Sequence, residues 1–119
     1  MNIYGEILIE NWRNPKNYKK VSKPTHSAEV YNPLCGDKIK IEVKIRSDEI
    51  VDIGFRGGGC IISQAAASLL TQEVRKLKNV KRVKNLTERK VFELIGTEIR
   101  TARRKCALLP LEVLRKALK

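Results

Sequence analysis

Residues 38–46 read KIKIEVKIR, in which apolar and charged side chains alternate without a break. Successive side chains of a β-strand point to opposite faces, so this pattern predicts a strand with one apolar and one charged face. Residues 47–49 indicate a turn, and the alternation of Val51, Ile53 and Phe55 with other residues predicts the second strand of a hairpin. The charged face must meet water, so we expect an antiparallel sheet with helices on its other face only.

Apolar residues at helical spacing lie on both sides of this hairpin. Residues 3–12 predict a first helix, which ends before Pro15 because the residue preceding a proline is pushed out of the α region. A basic loop over residues 16–25 and a weaker strand around Ala28 and Val30 follow. After the hairpin, one apolar stripe predicts a long helix; its members are Ile62, Ala66, Leu70, Val74 and Leu77.

The C-terminal third carries the start and stop signals of two more helices. Residues 79–86 are polar and basic. Thr87 can cap a short helix that Gly96 ends, and Pro110 suits the first turn of a last helix with leucines along one side. The order of elements predicts a single α+β domain over residues 1–119, a two-layer domain with a three-stranded antiparallel sheet packed by helices on one face.

Composition limits the class of protein and its setting. The chain has 119 residues, of which 42% are hydrophobic and 32% charged, as in a globular domain. Its three widely separated cysteines argue against a disulfide framework, and its N-terminus lacks the basic and apolar regions of a signal peptide. We therefore expect a reducing, cytoplasmic setting without a membrane span. The net charge of +12 indicates either a solubility feature or an anionic partner.

Each cysteine lies in a local sequence suited to ligation. Cys35 is in the segment 32–37 (NPLCGD), Cys60 closes the segment 57–60 (GGGC), and Cys106 ends the basic segment 103–106 (RRKC). Together with Asp37, the three thiols make a four-ligand set for zinc or iron. The alternative is that they are small buried hydrophobes, but that role requires neither a glycine triplet nor a neighbouring carboxylate.

The predicted elements place Cys60 and Cys106 near helix N-termini. A helix N-terminus and nearby cations favour a thiolate, so we expect Arg103, Arg104 and Lys105 to lower the pKa of Cys106. A thiolate can serve as a metal ligand or as a sulfur nucleophile. The glycine triplet would let the backbone pass close to a cluster or an incoming sulfur. Asp37, a harder and weaker ligand for iron than a thiolate, would let the site release its metal.

Three ordered motifs give the chain a family resemblance. Residues 32–37, 55–63 and 105–109 closely resemble the three cysteine motifs of the U-type iron–sulfur assembly proteins: IscU, SufU and the N-terminal domain of NifU. The opening residues 3–4, the turn at 14–18 and the strand pair agree as well. The resemblance therefore covers nearly the whole chain.

This resemblance implies a SufE/NifU-like fold whose ligands cluster at one exposed end. It implies a scaffold on which a transient cluster, typically 2Fe–2S, is held by Cys35, Cys60 and Cys106 with help from Asp37 or a neighbour. It further implies a cysteine desulfurase as sulfur donor, apo iron–sulfur proteins as recipients, and zinc in the isolated protein. Homo-oligomerisation stays open. The alternative within the family is a zinc-dependent sulfurtransferase that accepts persulfide sulfur on Cys106 or Cys60.

Two departures from the family pattern keep scaffold and sulfurtransferase both open. IscU-like members carry a histidine directly before the third cysteine, where this chain has Lys105, and residues 98–103 replace the family's chaperone-docking segment. The chain also lacks the insertion usual in SufU, and His26, its only histidine, is expected to be a loop residue. Nucleic-acid binding is a third reading, which the charge permits; aromatic residues are only 5% and no recognition motif is present, so we do not expect it.

Overall fold

The structure, a computed structural model, describes the backbone of residues 3–119 and the side chains from residue 5 onward. The side chains of Ile3 and Tyr4, predicted members of the first helix's apolar stripe, lie outside the described part. The elements in chain order are α1 (Ile3–Arg13), β1 (His26–Asn32), β2 (Asp37–Arg46), β3 (Glu49–Gly58), α2 (Ile61–Leu77), α3 (Val80–Lys84), α4 (Glu88–Ile95) and α5 (Arg104–Ala117), with a 3₁₀ turn at Thr101–Arg103.

The three strands form an antiparallel sheet in the order β1-β2-β3. Ile41 lies opposite Ala28 on one side and Phe55 on the other. Ile39, Ile41 and Val43 of β2 are buried. The charged side chains of residues 38–46 lie on the outer face, where Lys38 pairs with Glu29 (3.6 Å) and Arg56 with Glu42 (3.2 Å). Helices α2 and α5 pack on the apolar face, so the predicted two-layer α+β architecture is confirmed.

The hairpin turn is present, but the apolar pattern predicted for β3 is wrong at Val51. Ser47 and Asp48 both have positive φ angles, 53° and 62°, as in a two-residue hairpin turn whose twist matches the strands. After the turn the pairing passes from Ile45↔Ile50 to Lys44↔Asp52, so Val51 is the extra residue of a bulge. The bulge buries Ile50 and leaves Val51 47% exposed.

Helix α1 lies on α2 through a polar contact that its sequence did not predict. The Asn11 Oδ1 accepts hydrogen bonds from the Ser68 Oγ (2.8 Å) and the Gln72 Nε2 (2.9 Å). The Ser68 Oγ in turn accepts from the Lys16 backbone N–H (2.8 Å) just after the helix ends. These bonds hold the N-terminal segment on the helix that begins at Cys60.

The loop after α1 covers the outer edge of β3. The Lys19 N–H donates to the Phe55 carbonyl (3.1 Å), and the Phe55 N–H donates to the Asn17 carbonyl (2.9 Å). A Cβ at Gly54 would lie 2.5 Å from the Lys19 carbonyl oxygen, so only glycine allows this close approach. Tyr18, which lies between Asn17 and Lys19, packs edge-on against Phe55, with the two ring centroids 5.2 Å apart.

The C-terminal helices differ from the predictions at two places. Residues 80–84 of the polar segment form the short helix α3, capped by the Asn79 side chain, which accepts from the Arg82 N–H. Helix α5 begins at Arg104, well before Pro110, which therefore lies inside it. A proline costs an interior helix one backbone hydrogen bond, but burial of the apolar face of α5 outweighs that loss. The predicted Thr87 cap and Gly96 end of α4 are confirmed.

No helix among residues 3–119 is long and apolar enough to cross a membrane.

Candidate metal centre

The three thiols come from three separate chain segments that meet at one end of the sheet. Cys35 lies in the β1–β2 loop, Cys60 at the β3–α2 junction, and Cys106 in the first turn of α5. The Sγ atoms of Cys35 and Cys106 are 2.7 Å apart, and one ligand atom each from Cys35, Asp37 and Cys106 lie within 4.8 Å of one another. All three cysteines are free thiols.

Asp37 connects Cys60 to this group. It is the first residue of β2 and is completely buried. Its Oδ1 accepts the Cys60 backbone N–H (2.7 Å), and its Oδ2 lies 3.5 Å from the Cys60 Sγ. Because Oδ1 is engaged by the backbone, Oδ2 is the oxygen that faces the thiols. The four predicted ligands are thus brought together, and Cys60 joins them through its contacts with Asp37 and Cys106.

The glycine triplet makes the approach of Asp37 possible. A Cβ at Gly59, whose φ is 142°, would overlap the Asp37 carboxylate, and a Cβ at Gly57, whose φ is 148°, would overlap the Lys38 carbonyl oxygen. Nothing lies within 4 Å of the Cβ position at Gly58. Close approach is thus required at two positions, to the Asp37 carboxylate at Gly59 and to the Lys38 backbone at Gly57. The predicted approach of a cluster or an incoming sulfur stays a prediction.

Neighbours missed by the sequence analysis position two of the sulfurs. Cys60 is the N-cap of α2, and its Sγ accepts the Ser63 backbone N–H at 3.5 Å. The Ser63 hydroxyl donates to the Cys60 carbonyl (3.1 Å), and the Asn32 Nδ2 donates to the Cys35 Sγ (3.7 Å). Their spacing in the sequence could have indicated these contacts, because Ser63 follows Cys60 by three residues and Asn32 precedes Cys35 by three residues.

The expectation that Cys106 is held as a thiolate is wrong for the metal-free protein. Burial raises the pKa of the Cys106 thiol well above its ordinary value, and hydrogen bonding with Cys35 and Cys60 raises it further. Contact with Arg103 lowers the pKa but does not outweigh these causes. Removing a thiol from water disfavours its charged form, and neighbouring sulfurs add repulsion, so metal binding must displace protons here.

Of the three cations predicted to act on Cys106, Arg103 is the one that contacts its thiol. Contact with Cys106 raises the pKa of the exposed Arg103 guanidinium, and the Cys60 and Cys35 thiols act in the same direction. The Arg104 guanidinium instead stacks over the Phe92 ring at 4.2 Å. Lys105 lines a groove beside the centre. His26 was expected to be a loop residue, and this is wrong: it begins β1 and pairs with Val43, at the end of the strand away from the thiols.

The donor set suits a thiophilic metal. Three thiols and one carboxylate can complete a tetrahedral zinc site or hold iron. The Cys35 and Cys106 sulfurs must move apart before both bind one zinc ion, because Zn–S bonds of about 2.3 Å separate two ligands by more than their present distance. The Cys35 loop can supply that movement, since it is a surface turn between two strands.

The fold and these donors define an α+β domain with a thiol-rich candidate metal centre at one end of its sheet. Residues 3–119 match the family of the NifU-like N terminal domain, and the chain belongs to that family.

Curated relatives of the chain include two kinds of protein. The zinc-dependent sulfurtransferase SufU of Bacillus subtilis (strain 168) is 36% identical over 73 residues, which are 61% of this chain and 49% of the relative. This chain thus matches about half the length of that relative. The iron–sulfur cluster assembly scaffold protein IscU 1 of Archaeoglobus fulgidus is 29% identical over 116 residues, covering 98% of this chain and 74% of the relative.

A solved structure agrees with the fold along nearly the whole chain. It is a putative iron–sulfur cluster assembly scaffold protein for the SUF system from Fervidobacterium islandicum AW-1. The two structures superpose with a TM-score of 0.73 and 27% identity, covering 96% of this chain and 95% of the other.

Proposed function

We propose that this chain is a scaffold on which a nascent iron–sulfur cluster is assembled and from which it is transferred to apoproteins. The sulfur comes from a cysteine desulfurase, and the cluster, typically 2Fe–2S, is cargo. The observation that carries the proposal is the convergence of Cys35, Cys60 and Cys106 with the buried Asp37 at one end of the sheet. Relatives matched along nearly the whole chain support it, since they are named as scaffolds.

Sulfur delivery starts with a thiolate of this chain attacking the outer sulfur of a desulfurase persulfide. A new S–S bond forms on the scaffold cysteine, and the desulfurase cysteine leaves as a thiolate. Cys106 is the proposed acceptor, and its thiol must first give up its proton to solvent, because burial and the neighbouring thiols raise its pKa. Because Cys106 is buried and Cys35 half-buried, the Cys35 loop has to lift before a donor sulfur reaches Cys106. Arg103 then offsets negative charge on the sulfurs.

Asp37 supports release of the cargo in this proposal. Its Oδ2 faces the thiols, and a carboxylate oxygen is a poorer ligand for iron than a thiolate. A cluster held by three thiolates and one such oxygen has one weak attachment. A recipient cysteine can replace that attachment first.

The zinc-dependent sulfurtransferase is the second candidate, favoured by the absence of a histidine before Cys106 and by the match to Bacillus SufU. In that case Cys35, Asp37, Cys60 and Cys106 hold zinc, and the bound metal supplies the charge that keeps the thiols deprotonated. The free thiols suit a reducing compartment, which we propose to be the cytoplasm for either candidate.

Anaerobic reconstitution with iron, cysteine and a cysteine desulfurase tests the proposal. A scaffold yields an absorbing 2Fe–2S species that passes to apo-ferredoxin. A sulfurtransferase instead retains zinc, gains persulfide detectable by mass spectrometry, and yields no transferable cluster. Formation of neither product contradicts both candidates.

A further inference from the structure

Among residues 3–119, no loop covers the outer edge of strand β1 in the way that one covers the β3 edge. The sheet order places β1 at one side, paired only with β2 among the described strands. The opposite side of the sheet is covered by the loop at residues 17–19. An edge strand directs backbone N–H and C=O groups outward, and these can pair with another extended chain.

An apolar groove of about 510 Å³ lies beside β1. Its lining comes from the end of β1, the loop leading to Cys35, and helix α5, and its apolar members include Val30, Leu108, Leu109 and Leu111. At its mouth the side chains of Tyr31 and Leu34 are 59% and 79% exposed. Large apolar side chains left in water beside an apolar groove mark an interaction surface.

The charges along this groove are polarised. Lys105 lies at the end next to Cys106, where the positive end of the α5 dipole adds to its charge. Glu112 lies two helical turns further along α5, about 10 Å away, and Glu88 of α4 also lines the groove. Arg115 donates to the Leu86 carbonyl (3.1 Å), which directs its guanidinium toward the chain's own backbone.

We propose that the β1 edge and this groove bind an extended segment of a partner protein as an added strand. The segment has apolar residues at alternate positions, an acidic residue at the thiol end and a basic residue at the Glu112 end. At about 3.3 Å per strand residue, the two charges are separated by two to four residues. The inference deepens the proposed function, because it gives a surface by which a protein exchanging sulfur or cluster docks beside the thiols.

Charge favours this partner over a second copy of the chain or a nucleic acid. Pairing of two β1 edges would join two chains of net charge +12 each, and a register centred on Glu29 would set like charges opposite each other. Nucleic-acid phosphates would meet Glu88 and Glu112 in the groove. A segment with an acidic residue at one end and a basic residue at the other complements Lys105 and Glu112 at the two ends of the groove.

Selection from a displayed library of random dodecapeptides on the reduced full-length chain tests the inference. We expect enriched peptides with the alternating apolar pattern and the two charges, binding in fluorescence anisotropy and protecting β1 amides from hydrogen exchange. Lys105→Glu should weaken a selected peptide about three- to tenfold. Lys116→Glu, the same charge change at an exposed α5 position outside the groove, should change affinity less than twofold.

Exchanging the peptide's acidic residue for lysine should restore its binding to the Lys105→Glu variant. Failure to enrich any such peptide, equal effects of the two lysine variants, or protection confined to residues outside β1 would overturn the inference. The readout needs neither iron nor sulfur. A chain that assembles clusters but binds no peptide therefore refutes this inference alone, and one that binds peptide without assembling clusters refutes only the proposed function.

Discussion

Asp37 has two roles that a single side chain rarely combines. One oxygen satisfies the backbone N–H at the start of α2, and the other faces the thiols. The first role stabilises the fold, because an N-terminal helix N–H otherwise lacks a partner. The second would affect a bound cluster, if the proposed function is correct. Variants that differ in only one of these roles can therefore separate them.

Replacing Asp37 by alanine should lengthen the lifetime of a bound cluster and slow its transfer, because the weak ligand is lost. It should also lower the free energy of unfolding by about 1–2 kcal/mol, because the Cys60 N–H loses its acceptor. Asp37→Asn is the matched control, since its amide oxygen keeps the bond to Cys60 without the charge. Cluster absorbance and thermal unfolding measure the two effects. Faster cluster loss in both variants would contradict the proposed role.

Zinc binding should require all three cysteines. We expect the isolated chain to bind about one zinc ion and to release protons, since thiols ligate as thiolates. Alanine at Cys35, Cys60 or Cys106 should each weaken binding at least about 100-fold. Competition with a chromophoric chelator measures the affinity, with Ser63→Ala as a control that keeps every sulfur. Three single variants that bind zinc as tightly as the parent would show that the thiols do not share a site.

The raised pKa of Cys106 predicts how stability depends on pH. In the metal-free chain the folded state holds the Cys106 proton more tightly than the unfolded state. Its contribution to stability is therefore complete below the ordinary thiol pKa and is lost as pH rises above about 8.5. Urea unfolding at several pH values should show this decline, and Cys106→Ala should reduce it. An equal decline in the variant would assign the effect to other groups.

At the scale of elements, the β3–α2 junction decides whether the centre forms. Within a few residues it contains the end of β3, the glycine triplet and the N-cap of α2, which is Cys60. Two of the glycines have positive φ and no room for a Cβ, and the third has open space. The junction thus contains its own internal control.

Gly59→Ala should lower the free energy of unfolding by about 2–3 kcal/mol and weaken zinc binding, because its Cβ displaces the Asp37 carboxylate and its φ is strained. Gly58→Ala should change the free energy of unfolding by less than about 0.5 kcal/mol. Urea unfolding and zinc titration measure both variants. Similar losses in the two would mean that the triplet acts through chain flexibility instead.

Across the whole molecule, two groups of basic residues lie far apart. Lys76, Lys78, Lys81, Arg82 and Lys84 lie around the end of α2 and in α3, whereas Arg100 and residues 103–105 lie just before and in the first turn of α5, the helix that carries Cys106. Helix α2, with 17 residues, separates these regions by about 25 Å. Charge near the thiols should matter more for docking of an acidic desulfurase surface than charge at the far end.

Association with a cysteine desulfurase should slow as salt rises, mainly through the on-rate. Arg100→Glu should lower the on-rate several-fold at low salt, and Lys81→Glu, the same charge change at the far end, should lower it less. Stopped-flow measurements at about 50 and 300 mM salt compare the on-rates of the parent and the two variants. The Debye length is longer than about 10 Å at the lower concentration and shorter at the higher one. A salt-independent on-rate would leave the net charge as a solubility feature.

Local patterns in the sequence were enough to predict much of this protein. The alternation in residues 38–46, the Thr87 cap and the Gly96 stop depend on neighbours within a few positions, so the sequence determined these elements correctly. The three cysteine motifs identified the family for the same reason, because each motif is contiguous. Predictions that relied on alternation alone failed at Val51, since a bulge depends on how two strands pair.

The tertiary structure decided the properties that depend on residues far apart in the chain. The Asp37 bond to the Cys60 N–H, the protonated state of Cys106 and the start of α5 all depend on which groups are buried together. The sequence shows three cations beside Cys106, but only the folded chain shows that burial and two other thiols outweigh them. Burial and electrostatic fields depend on distances in space, which a sequence pattern does not contain.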